Sequence, residues 1–238
     1  MKRILPFIII LAVLGLALGS AWYLTRSVPA TPIAGGQPTP TSSAAQASPV
    51  QQPSINPGIP GAEPAYSHGP ANAVVHLEEF GDFECPPCGL FHPVLKQMEA
   101  EFGDNVRVTF REFPLPTIHQ HALAAASSAE AAGLQGKFWE MHDLLYDRQN
   151  AWKSQFDVRP VFEAYAREIG IDVERFKRDV NSDLVAQRIF QDGKRGHSLG
   201  VKGTPTVYMN GREVPFEQLM PAEKLRDTIQ KEIAAAKR

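Results

Sequence analysis

GDFECPPCGLFHP, residues 81–93, carries the only two cysteines of a 238-residue chain, Cys85 and Cys88, separated by Pro86 and Pro87. Just upstream, AVVHLEEF (73–80) is a short apolar and β-branched run stopped by Gly81, which predicts a buried strand. Downstream, Phe91, Val94, Leu95, Met98 and Phe102 recur at helical spacing as far as Gly103. The cysteines therefore lie where a strand hands over to a helix. A second strand, VRVTFREF (106–113), completes a β-α-β unit, whose strands are expected to be parallel with a right-handed connection.

Further along, residues 119–132, 137–148, 161–170 and 173–180 read as successive helices punctuated by Gly133, Gly136 and Gly170, with Phe138, Met141 and Leu145 on one face of the second. Strand character returns at TVYM (206–209), and Asn210-Gly211 is a strong hairpin signal leading into REV (212–214). An amphipathic helix over about 222–236 closes the chain. The order βαβ, helices, ββα predicts an α/β sheet with a helical insertion at about 117–199. Phe91, Phe102, Phe138 and Trp139 are expected in the core.

The amino-terminal third is different in kind. Residues 4–24 contain no charge, follow Lys2 and Arg3 and end at Trp22-Tyr23, so 1–26 reads as a membrane anchor with its start in the cytoplasm. A cleaved signal peptide is the alternative, with small residues at Ala17-Leu18-Gly19 and Gly19-Ser20-Ala21; the run is longer than an ordinary signal core of about 7–15 residues. Residues 27–70 are dominated by Pro, Ser, Thr, Ala, Gln and Gly, with Glu63 the only charge between 27 and 64. Such composition cannot build a core, and predicts a disordered tether with a reach of roughly 35 Å. The remaining residues, 71–238, suffice for one domain. They carry 21 Lys and Arg against 25 Asp and Glu and no basic stripe, which speaks against nucleic-acid binding.

Three chemistries compete for Cys85 and Cys88. A structural staple closing so short a loop would contribute only about 2 kcal/mol, against nearly 5 for a long one. A zinc site needs two more ligands, and the chain has no third cysteine; His92, His119, His121 and His142 are available, but none forms a second pair at metal-finger spacing. A redox role has a direct basis. With Cys85 at the N-cap and Pro86 at the first helical position, the helix dipole and unpaired N–H groups favour a Cys85 thiolate, making it the attacking thiol and Cys88 the resolving one. Pro87 removes one donor from that first turn, so Cys85 is expected to be less acidic than with a histidine at 87.

The stretch EEFGDFECPPCGLFHPVL, the order of elements and Gly203-Thr204-Pro205-Thr206 resemble the DsbA-like thioredoxin-fold disulfide oxidoreductases, in particular their membrane-anchored bacterial branch. The resemblance implies a cis proline at Pro205 facing the cysteines, with the Thr204 backbone free to pair with an extended client. It also implies a buried acid at Glu79, six residues before Cys85, which by its raised pKa could take the proton of Cys88 as that thiol attacks the mixed disulfide; a solvent-facing Glu79 beside Glu78 is the alternative. Arg111 and Glu112 are candidate neighbours of that acid. No cofactor and no metal is implied beyond the Cys85–Cys88 disulfide itself. The implied activity is transfer of that disulfide to exported cysteine-containing proteins outside the cytoplasmic membrane, with reoxidation by a quinone-linked membrane partner. Pro-Pro between the cysteines and Thr before the proline also suit a reductase or isomerase fed by a reducing transporter. A chaperone-like binding module with an inert bridge, or a metal-delivery protein, remains the alternative from another class.

Overall fold

The structure, a computed structural model, describes residues 59–237. The expected anchor and most of the tether lie outside these residues; among the described residues no helix is long and apolar enough to cross a membrane.

The chain runs β1 (Tyr66–His68), β2 (Val75–Gly81), α1 (Pro86–Phe102), β3 (Val106–Glu112), α2 (Ala122–Gly133), α3 (Phe138–Asp147), α4 (Gln149–Trp152), α5 (Arg159–Glu168), α6 (Val173–Asp179), α7 (Asp183–Leu199), β4 (Thr206–Met209), β5 (Arg212–Val214), α8 (Phe216–Leu219) and α9 (Ala222–Ala236). The sheet order is β1-β3-β2-β4-β5, with β2 and β3 parallel and every other pair antiparallel. The β-α-β unit and the hairpin thus stand as expected. Asn210 and Gly211 both take positive φ, 50° and 78°, as a two-residue hairpin turn matching the strand twist requires.

Alternation along β2 divides the core. Val75 and Leu77 point to the face covered by α1 and α9, where they meet Phe91, Leu95, Met98, Leu225 and Ile229. Phe80 points the other way, packing edge-on against Phe113 and Tyr208. A third cluster joins Phe83, Phe110 and both cysteines to the insertion through Phe138, Met141, Leu145, Tyr146 and Trp152. Of the aromatics expected inside, Phe91 and Phe138 are buried, and Phe102 and Trp139 partly so.

The longest helix of the insertion, α7, is not among those read from periodicity, although its ends are marked. The Ser182 hydroxyl accepts the Val185 N–H at its start, and Gly200 adopts φ 87° at its end.

One expectation is corrected: order begins before residue 71. Tyr66–His68 pairs with β3 in the register Tyr66↔Phe110, and the Tyr66 ring stacks on Phe138 at 4.0 Å. Buried Ala62 donates its N–H to Asp192 Oδ1 at 2.7 Å and accepts from Arg111 Nη1 at 2.8 Å; Arg188 donates to the carbonyls of Glu63 and Pro64. A segment too polar to build a core is ordered here because charged side chains of the domain capture its backbone.

Candidate active site

Cys85 is the N-cap of α1, with φ −66° and ψ 119°; Pro86 and Pro87 fill the first two helical positions and Cys88 the third. The turn before it is built by Asp82. The Asp82 carbonyl accepts the Cys85 N–H at 3.1 Å and Oδ1 accepts the Glu84 N–H at 2.8 Å. Its other oxygen takes the Leu115 N–H at 2.9 Å and faces His119 Nδ1 at 2.8 Å, tying the turn to the loop before α2. Glu84 accepts the His121 N–H, and Gln149 Nε2 donates to the carbonyls of Phe83 and Cys85 at 2.7 and 2.9 Å. Gly89 lets Gln149 approach: a Cβ there would meet its amide oxygen at 2.8 Å. The insertion therefore holds the cysteine turn from two sides.

Opposite, the Thr204–Pro205 peptide is cis, and the Thr204 carbonyl accepts from Cys85 Sγ at 3.2 Å. Both cysteines are free thiols, Cys85 5% exposed and Cys88 fully buried. Their acidities are driven apart. The hydrogen bond from the Cys88 thiol is the main influence holding Cys85 at about 6, against burial, with help from the Thr204 hydroxyl and the Cys88 N–H. Thr204 Oγ1 is buried and has no other partner. Cys88 is pushed well above the ordinary thiol value by burial first, then by its bond to Cys85 and the charge of Glu79.

Glu79 lies on β2 with its carboxyl buried, 2% exposed, and Oε1 unpaired; burial, reinforced by Glu99 and Cys85, raises it to about 8. The alternative of a solvent-facing acid does not hold. Glu78, on the opposite face, is tied to Arg111 at 2.8 Å and Arg195 at 2.7 Å. Arg111 is thus partner to Glu78 and Asp192 rather than to Glu79. Glu112 is fully buried with both carboxylate oxygens unpaired, and its pKa is raised chiefly by burial. Sequence reasoning missed Tyr146, whose buried hydroxyl has no partner and whose pKa is raised by burial and by the charges of Cys88 and Glu79. It also missed Asp82, Glu84 and Gln149, single polar residues that carry no periodic signal.

A sheet of this order, a dithiol at the start of its first long helix and a facing cis proline define a thioredoxin-fold thiol–disulfide oxidoreductase. Residues 62–231 match the family model described as thioredoxin, and the chain belongs to that family. Among solved structures, it is similar in fold to BdbD from Bacillus subtilis, with TM-score 0.63 and 21% identity over 75% of this chain and 100% of that one. A thioredoxin-like oxidoreductase from Silicibacter pomeroyi DSS-3 is 27% identical at TM-score 0.59, over 73% of this chain and 93% of that one. The thiol-disulfide exchange protein alpha-DsbA2 from Wolbachia pipientis is 23% identical at TM-score 0.59, over 70% and 86%. In sequence the chain is 41% identical over 145 residues to a protein of Salinispora arenicola named Na(+)/H(+) antiporter NhaA 1, covering 60% of this chain and 21% of that protein. The chain thus spans about a fifth of the length of that relative.

Proposed function

We propose that the protein is a membrane-tethered, extracytoplasmic disulfide oxidase that gives its Cys85–Cys88 disulfide to exported proteins. The observation that carries this is the opposed acidity of the two thiols, about 6 at Cys85 and well above the ordinary value at Cys88. A stabilised Cys85 thiolate favours the reduced protein and so makes its disulfide a better oxidant.

A client thiolate attacks Cys85 Sγ, the Cys85–Cys88 bond breaks, and its electron pair leaves on Cys88. The departing Cys88 thiolate takes a proton, for which Glu79, protonated near neutrality, is the donor. A second client thiolate then attacks the client sulfur of the mixed disulfide and expels Cys85 as thiolate. The client loses two electrons and the protein gains them. Thr204 and Pro205 hold the client backbone beside Cys85, and Pro86 and Pro87 set how strongly the helix start supports the leaving thiolate. Return to the disulfide is assigned to a quinone-linked membrane partner, with no bound cofactor.

The reductase direction is the second reading, favoured by the Pro86-Pro87 dipeptide between the cysteines and by Thr204 before the cis proline. The reduction potential decides between them, measured on the full chain in detergent equilibrated with glutathione buffers and followed by thiol trapping. A potential near or above about −180 mV supports the oxidase, and one at or below about −270 mV overturns it in favour of the reductase.

A further inference from the structure

We propose that His92, His142 and Asp143, with Asp147 beside them, form a binding site for a divalent transition-metal ion of the zinc class, separate from the cysteines. His92 lies on α1, one turn beyond Cys88; the other three lie on α3, which packs against it.

The donor atoms of His92, His142 and Asp143 all lie within 4.8 Å of one another. His92 Nε2 is 3.9 Å from Asp143 Oδ1 and 3.4 Å from Asp147 Oδ1, and His142 Nδ1 is 3.1 Å from Asp143 Oδ1. Two ligands at zinc-bonding distance in a tetrahedral shell stand about 3.4 Å apart, so these separations bracket the required spacing.

A second observation points to a ligand. His92 is 4% exposed, yet its Nε2 makes no hydrogen bond. Aromatic packing accounts for where the rings sit, His92 stacked on Tyr146 and His142 edge-on to Phe110, but it leaves that nitrogen unsatisfied in the interior. A cavity of about 180 Å³ gives access; it is lined by His92, His142 and Asp143 together with His68, Lys96 and Glu99, so three of the chain's seven histidines meet there. Lys96 pairs with Asp143 through Oδ2, while Oδ1 shares a 3.1 Å hydrogen bond with His142 Nδ1 that an ion between the two would replace.

Two imidazoles with a carboxylate suit zinc, nickel or copper, whereas calcium and magnesium take oxygen shells.

The test is calorimetric titration of the full chain in detergent with Zn²⁺, beside a Cys85→Ser/Cys88→Ser variant. One ion per chain is expected, retained without the cysteines, lost in His92→Gln and weakened about tenfold in Asp147→Asn, whose side chain is 63% exposed and whose change leaves the core untouched. No binding at about 100 μM Zn²⁺ overturns the proposal, as does loss in the cysteine variant, which would make the dithiol the ligand. Should His92→Gln not fold, Asp143→Asn and Asp147→Asn decide: unchanged affinity in both overturns it.

Discussion

The sulfur of Cys85 donates to the backbone carbonyl of Thr204 at 3.2 Å, across 119 residues of sequence. In the thiol form that carbonyl is engaged. Ionisation removes the donor, leaving the carbonyl to accept from another chain, while the nearby Thr204 hydroxyl can turn its proton to the new charge. One residue thus serves both states of the thiol.

Replacing that hydroxyl tests its share. Thr204→Val is expected to raise the Cys85 pKa from about 6 by about one unit, since a hydrogen bond to a charged group is worth roughly 1.5–3 kcal/mol and part is recovered from the Cys88 donors. Thiolate absorbance against pH reads it directly; an unchanged midpoint would mean that the hydroxyl plays no part.

Pro87→His restores an N–H at the second helical position and adds an imidazole near the sulfur. The Cys85 pKa should fall below 6, and the reduction potential should rise by about 30 mV for each unit. A potential that stays put or drops would show that the second residue of the dipeptide does not limit Cys85 here.

Glu79→Gln removes the proton donor and should slow exchange at Cys88 on the order of a hundredfold in stopped-flow mixing with a cysteine peptide. It also carries a stability signature. Because the folded state raises Glu79 to about 8, the native protein binds an extra proton between the unfolded and folded values, so the stabilisation present at low pH is lost as pH rises through 8. The wild type should lose no more than about 5 kcal/mol from this group between pH 4 and 9 in urea titrations, and the variant should lack that slope. Parallel curves for the two proteins would count against a protonated Glu79.

A chain beginning at Ala71 lacks β1 and the segment before it. Arg188 would lose two carbonyl acceptors and Arg111 one, and the Tyr66–Phe138 stack would go. Its stability should fall by about 3 kcal/mol or more relative to a chain beginning at Ile59, since buried polar groups are left unpaired. Equal urea midpoints would make the amino-terminal strap dispensable.

Much of this architecture is local, and that part was legible. A strand ending at Gly81, a helix opening at Pro86 and an Asn210-Gly211 turn each declare themselves within a few residues, and they place Cys85 at the N-cap and Cys88 on the third helical position. Glu79 was found through the family resemblance, which implies a buried acid six residues before the first cysteine. What the sequence did not disclose depends on partners far away. Three residues of β1 show no periodicity and become a strand only against Phe110 and Phe138. Asp82, Gln149 and Tyr146 are ordinary polar residues until the insertion folds over the cysteine turn. His92 and His142, fifty positions apart on different helices, could not be paired by any spacing rule, which is why no metal was expected.

Both outermost strands of the sheet, β1 and β5, are only three residues long, and β5 begins Arg212-Glu213. Long, flat, apolar borders are templates on which unfolded polypeptides pair and aggregate. A protein proposed to handle such polypeptides all the time faces that hazard more than most, and its borders offer them almost no ladder to extend.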